Sequence, residues 1–135
     1  MVDDQQVEGI YCHFDGYVDG VGKLLYHCFD SQKTKELMQL GNISFLTTTL
    51  YPTTTDHSFY SPEEGVIVAY GRDRGEPGQE ALRLPTYEFL AGFYPSAGVD
   101  YFYLLELDGT WMVRSRFLDG SLTSWKPLGK ILTGM

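Results

Sequence analysis

The feature that most constrains this chain is a pair of apolar and aromatic runs around a single turn. Tyr101–Leu107 and Thr110–Phe117 flank Asp108-Gly109, the signature of a two-residue type I′ hairpin. Within the second run Trp111, Val113, Ser115 and Phe117 alternate with Met112, Arg114 and Arg116, so one face is largely apolar and the other basic. Asp119-Gly120 repeats the turn signal and predicts a third meander strand over 121–125. The C-terminal part is therefore expected to be an antiparallel sheet.

The N-terminal part has a different pattern. Residues 7–14 are rich in β-branched and aromatic types and predict a strand. Val21, Leu24, Leu25, Cys28 and Phe29 follow at helical spacing, and Asp30 or Ser31 is placed to cap a second helix that stops at Gly41. Residues 42–64 carry Thr47-Thr48-Thr49 and Pro52-Thr53-Thr54-Thr55, a loop composition in which His57 is expected to be solvated. Residues 65–70 predict a short buried strand running into the charged turn Gly71–Gly78, and Pro85-Thr86 starts a short helix through Leu90. The expected fold class is α+β, a single domain over 1–135. Its mainly antiparallel sheet ends in the C-terminal meander, with two or three short helices packed on one face.

Composition narrows the function classes. The 135 residues suit one domain, which at this size buries about two-thirds of its unfolded surface. No run approaches the roughly 18 apolar residues of a membrane span, so no membrane partner is expected. The acidic, polar opening Met1–Gln6 lacks the pattern of a secretory signal, and two cysteines are too few for a disulfide framework. A cytoplasmic protein is expected. Net charge is −8, with six basic and seventeen acidic residues in 1–109 and four basic and one acidic in 110–135. Duplex DNA binding is not expected from so acidic a chain. Asp3, Asp4, Glu8, Asp15 and Asp19 form acidic clusters that suit either solubility or docking to a basic partner.

Two segments carry candidate chemistry. Asp15–Lys23 is a glycine-rich link from strand to helix, in which Gly20 and Gly22 permit close approach of a ligand and Lys23 adds charge at a helix start. It is not a Walker A loop, because Gly16 and Gly22 have five residues between them and Leu24 follows the lysine. Asp19 is equally suited to cap the helix. The second segment, Arg72-Asp73-Arg74, offers guanidinium forks for phosphate or carboxylate, with Tyr70 as a stacking surface; a plain surface ion-pair cluster is the alternative. Tyr11, His13, Asp15 and Tyr17 lie beside the first segment, where His13 and Asp15 share a strand face and have the spacing of a base with its orienting carboxylate. Cys12-His13 and His27-Cys28 diverge too much for zinc, and no metal or cofactor is expected.

Gly9-Ile10-Tyr11-Cys12-His13-Phe14-Asp15-Gly16-Tyr17, Leu40-Gly41-Asn42-Ile43-Ser44, Tyr70-Gly71-Arg72-Asp73-Arg74-Gly75-Glu76 and Tyr101-Phe102-Tyr103-Leu104 with Trp111 resemble a widespread family of small phage and prophage proteins. That family usually has Trp where this chain has Phe14. The resemblance spans roughly residues 8–113 and implies an accessory phage product acting in the host cytoplasm, with no assigned activity. Small proteins of that class often disable host immunity by binding. Two mechanisms are expected to compete. One is sequestration of a nucleotide-like anion by Tyr11, His13, Asp15, Tyr17, Gly20, Gly22, Lys23, Tyr70, Arg72, Asp73 and Arg74. The other is inhibition of a host nuclease, CRISPR or restriction complex through Asp3, Asp4, Glu8 and Asp19. A small nucleotide or phosphodiester hydrolase using His13, Asp15 and the arginines Arg72 and Arg74 is a further alternative, and self-association through an edge strand stays open.

Overall fold

The computed structural model describes residues 6–85, 99–117 and 119–133. The C-terminal hairpin is its most regular part. Strands β5 (Tyr101–Leu105) and β6 (Trp111–Ser115) pair antiparallel from Tyr101 opposite Ser115 to Leu105 opposite Trp111. Their turn differs from the expected type I′. Gly109 N–H donates to Glu106 O at 2.9 Å, Glu106 N–H donates to Thr110 O at 3.0 Å, and of the turn residues only Gly109 has positive φ, at 89°. That is a three-residue loop ending in a glycine bulge, since type I′ would need positive φ at two central residues.

The third meander strand is β7 (Lys126–Pro127), C-terminal to the expected 121–125. Residues 121–125 make only an isolated antiparallel bridge, Leu122 opposite Arg116, with Phe117 N–H donating to Ser121 O at 2.7 Å and Thr123 N–H donating to Ser115 O at 2.8 Å, and Arg114 Nε adds a bond to Thr123 O at 2.9 Å. The face read as basic is consequently covered at Met112 and Arg114, while Arg116 stays exposed. Met112, Leu122 and Trp125 pack there against a small core of Val7, Phe102 and Leu104, with the Arg114 guanidinium 5.2 Å from the Trp125 ring centre.

Strand β1 (Gln6–Gly9) is shorter than the predicted 7–14 and pairs antiparallel with β4 (Leu82–Pro85). Beyond Gly9 the chain changes partner and runs parallel to β2 (Ile43–Phe45). Ile43 N–H donates to Tyr11 O at 2.8 Å, and His13 N–H donates to Ile43 O at 3.1 Å. β2 itself pairs antiparallel with β3 (Val68–Ala69). The predicted strand over 65–70 thus shrinks to two residues, because Tyr70 already begins helix α3 (Tyr70–Arg74), capped by Gly75 in the left-handed region.

Helix α1 (Lys23–Cys28) follows a π-helical turn over Val18–Gly22, and α2 (Ser31–Leu40) starts at Asp30, whose carboxylate accepts from Lys33 N–H at 2.8 Å. A short α4 (Leu128–Leu132), not foreseen from the sequence, buries Leu128 completely. The helix expected from Thr86 to Leu90 lies outside the described residues. Among those residues the class is α+β as expected, but the strands form two two-stranded sheets and one three-stranded sheet. Between them sits one core of Val21, Leu25, Phe29, Leu37, Ile43, Ile67, Leu105, Trp111 and Leu128.

Candidate functional site: a tyrosine-framed cavity

The glycine-rich segment is closed on itself. Asp15 has φ 60°, its carbonyl accepts from Val21 N–H at 3.0 Å, and the Tyr17 carbonyl accepts from Gly20 N–H at 3.0 Å. A Cβ on Gly20 would meet Asp15 O at 2.4 Å, and one on Gly22 would meet the Tyr103 ring at 3.1 Å. The glycines therefore serve the loop's own closure and its packing on β5. No side chain caps the π-turn or α1, so the expected capping role of Asp19 is not realised. The amides of Gly20 and Val21 are used, as is that of Gly22 (to Tyr17 O at 3.4 Å), which leaves them unavailable to an anion.

Beside this loop lies a cavity of about 340 Å³. Val21, Leu25, Leu37, Met38, Ile43 and Leu46 form its apolar wall, and Trp111 closes one side. Tyr11, His13, Tyr17, Tyr101 and Tyr103 line it from two parts of the chain. Most of the buried polar atoms are committed. The Tyr103 hydroxyl donates to Gly16 O at 2.6 Å, Trp111 Nε1–H donates to Phe29 O at 3.0 Å, and Cys12 Sγ donates to Phe14 O at 3.4 Å. Burial pushes the Cys12 thiol up to about 11, so it keeps its proton near neutral pH and is a poor nucleophile. Burial, with Tyr101 and Cys12 nearby, also raises the Tyr103 phenol.

Of the residues singled out from the sequence, Tyr11, His13, Tyr17 and Glu8 line this cavity. Asp15, Asp19, Gly20, Gly22 and Lys23 lie around it without lining it. His13 is exposed, and its Nδ1 sits 3.3 Å from the Tyr11 hydroxyl, while no hydrogen bond joins it to Asp15 among the described residues. Glu8 is paired with Arg83 at 3.2 Å. Asp3 and Asp4 lie outside the described residues.

Tyr70, Arg72, Asp73 and Arg74 are brought together elsewhere, on α3. Arg72 is turned inward: its guanidinium bonds the carbonyls of Leu50 and Ile67, and its Nε lies 2.8 Å from Asp73 Oδ1. Arg74 pairs with Glu76 and lies over the rings of Phe59 and Tyr70, at 4.3 and 4.9 Å from their centres. His57 joins this cluster, against the expectation of a solvated residue. Its side chain is 1% exposed, Nδ1 accepts from Glu63 N–H at 2.9 Å, and Nε2 lies 3.0 Å from Asp73 Oδ2, off the ring N–H axis. The loop folds back because α3 offers it a buried carboxylate.

Sequence reasoning missed Thr34, Trp111, Tyr101 and Tyr103 as cavity residues. Thr34 carried a legible signal, since it shares the apolar α2 stripe with Leu37 and Met38. The others looked like ordinary sheet core. Among the described residues no group of three or more His, Cys, Asp or Glu side chains is arranged to hold a metal. Compared with protein-family models, characterised proteins and solved structures, the chain has no significant match.

Proposed function

We propose that the protein is a non-catalytic binding protein that holds the ring of a small molecule in the cavity between the Gly16–Tyr17 segment and β5. The observation that carries this reading is the cavity itself, an apolar space of ligand size framed by aromatic side chains. In the phage setting that the sequence resemblance implies, such a protein acts in counter-defence by sequestering a nucleotide-derived immune signal. The base enters the cavity and the phosphates stay outside, because the described lining holds Glu8 and Asp100 but no Lys or Arg. Arg83, exposed and paired with Glu8, is a cation for which a phosphate can compete. Arg72 and Arg74 play no part in the site and hold α3 to its loop.

A thermal-shift screen against cyclic dinucleotides, NAD-derived signals, nucleotides and nucleosides tests this. Ligand at a hundredfold over its dissociation constant adds about 2.7 kcal/mol, a rise of several degrees for a domain of this size. Gly16→Trp is expected to remove the shift, because Gly16 lines the cavity and an added Cβ there meets nothing within 4 Å, leaving room for the indole to occupy the space. A flat screen, or a shift that survives Gly16→Trp, overturns the reading.

One observation favours a second reading. Phe14 and Tyr17 are 53% and 49% exposed and stand among exposed Asp15 and Asp19. Exposed aromatics alternating along the chain with carboxylates suit docking to a basic host protein. Phe14→Ser with Asp19→Lys is expected to abolish counter-defence under this reading while leaving any nucleotide-induced shift intact.

A further inference from the structure

We infer that Thr34 is the polar anchor of the cavity, and that the cavity takes an uncharged planar ring with a hydrogen-bonding atom on its edge. The inference rests on the cavity being a binding site and specifies its ligand class. Thr34 is 1% exposed, lines the cavity from α2, and its Oγ1 has no hydrogen-bond partner among the described residues. A helical threonine ordinarily turns its hydroxyl back to the carbonyl four residues earlier. Here Asp30 O accepts the Thr34 amide at 2.9 Å, but the hydroxyl makes no such back-bond.

The surrounding chemistry selects the partner. The hydroxyl of Tyr103, the indole of Trp111 and the thiol of Cys12 are engaged with carbonyls of the protein, so among the described lining residues Thr34 Oγ1 is a buried side-chain group left to read a ligand. A hydroxyl both donates and accepts, so it serves a ring N–H, a ring nitrogen or an exocyclic oxygen equally. Leu37 and Met38, one turn further along α2, and Leu25 and Leu46 press apolar surface around it. A charge at that depth would lose its hydration with no described counter-ion beside it. Rings satisfy these demands, since they bury two apolar faces and offer polar atoms only in their plane. A volume of about 340 Å³ is about eleven times the ~30 Å³ share of one liquid water, enough for a one- or two-ring heterocycle.

The test compares the wild type with Thr34→Val and Thr34→Ser, using adenine, indole and toluene as probes in calorimetry and thermal shift. Adenine or indole is expected to bind the wild type. Thr34→Val should weaken that binding about five- to tenfold, the usual effect of losing one hydrogen bond. Thr34→Ser, which keeps the hydroxyl, should stay within about twofold, and toluene should not distinguish the three proteins. The unliganded Thr34→Val protein should melt no lower than wild type, because no intramolecular bond is lost. Equal affinity for adenine and indole in Thr34→Val overturns the anchor while leaving the cavity as a site. A lower melting temperature for that variant also overturns it, by showing that the hydroxyl has a partner within the protein. If none of the probes binds and Gly16→Trp leaves every shift of the wider screen unchanged, the cavity reading itself has failed.

Discussion

At the scale of single residues, Asp73 ties several segments of the chain together. It receives Ala69 N–H at 2.8 Å, pairs with Arg72, touches His57, and offers its own carbonyl to Phe59 N–H at 2.9 Å. Burial works to raise its pKa, but the bonds from Arg72 and Ala69, the adjacent His57 ring and the charge of Arg72 outweigh it and hold the carboxyl below its ordinary value. The folded-state pKa is depressed, so the carboxylate contributes stability that is complete above its unfolded value of about 3.9 and is lost as pH falls through the folded value. Asp73→Asn leaves Arg72 without its charge partner and is expected to cost about 3 kcal/mol in urea unfolding at pH 7. The wild-type loss of stability below about pH 4 should shrink correspondingly in that variant. Arg72 and Asp73 stood out in the sequence as a charged pair, but their inward direction did not. His57 lies in a run of Thr, Ser and Pro, and its contact with Asp73 spans a stretch of chain over which local pattern carries no information.

At the scale of elements, the ends of α2 were legible and most other boundaries were not. Asp30 caps its start, and Gly41 ends it with φ 73°, where an added Cβ would stand 2.0 Å from Gln79 O. Gly41→Ala is therefore expected to destabilise by at least about 2 kcal/mol, measured as the shift in the urea midpoint at unchanged slope. Gly16→Ala, with open space around it, should cost less than a quarter of that on the same measure, taking roughly 0.5 kcal/mol as its ceiling. The predicted first strand was too long because apolar pattern does not report a change of partner. Residues on either side of Gly9 are equally strand-like, yet one side pairs with β4 and the other lies along β2. Helices α3 and α4 have five residues each, shorter than any window in which helical periodicity can be seen.

At the scale of the whole molecule, alternation at the C-terminus and helical spacing at the N-terminus were enough to identify an α+β fold. They did not reveal that the strands divide among three small sheets, which depends on pairings between distant segments. The cavity was hidden for the same reason, since its walls come from residues 7–46 and 99–111 and no local signal joins them. One consequence concerns the first strand. Val7 is 2% exposed and seals the small core with Phe102 and Leu104, so a chain beginning at Ile10 should lose cooperative unfolding in that region. Faster amide exchange over 101–105 and 111–115 in the truncated protein would show it. The pairing of Gln6 with Pro85 also sets a clock. On the ribosome, the segment made first must wait for the one that completes its ladder. At the usual ~5–20 residues per second, the 79 residues from 7 to 85 take about 4–16 s. For that interval Val7 and its neighbours are an unfinished sheet edge, open to any chaperone or protease in the cell making the protein.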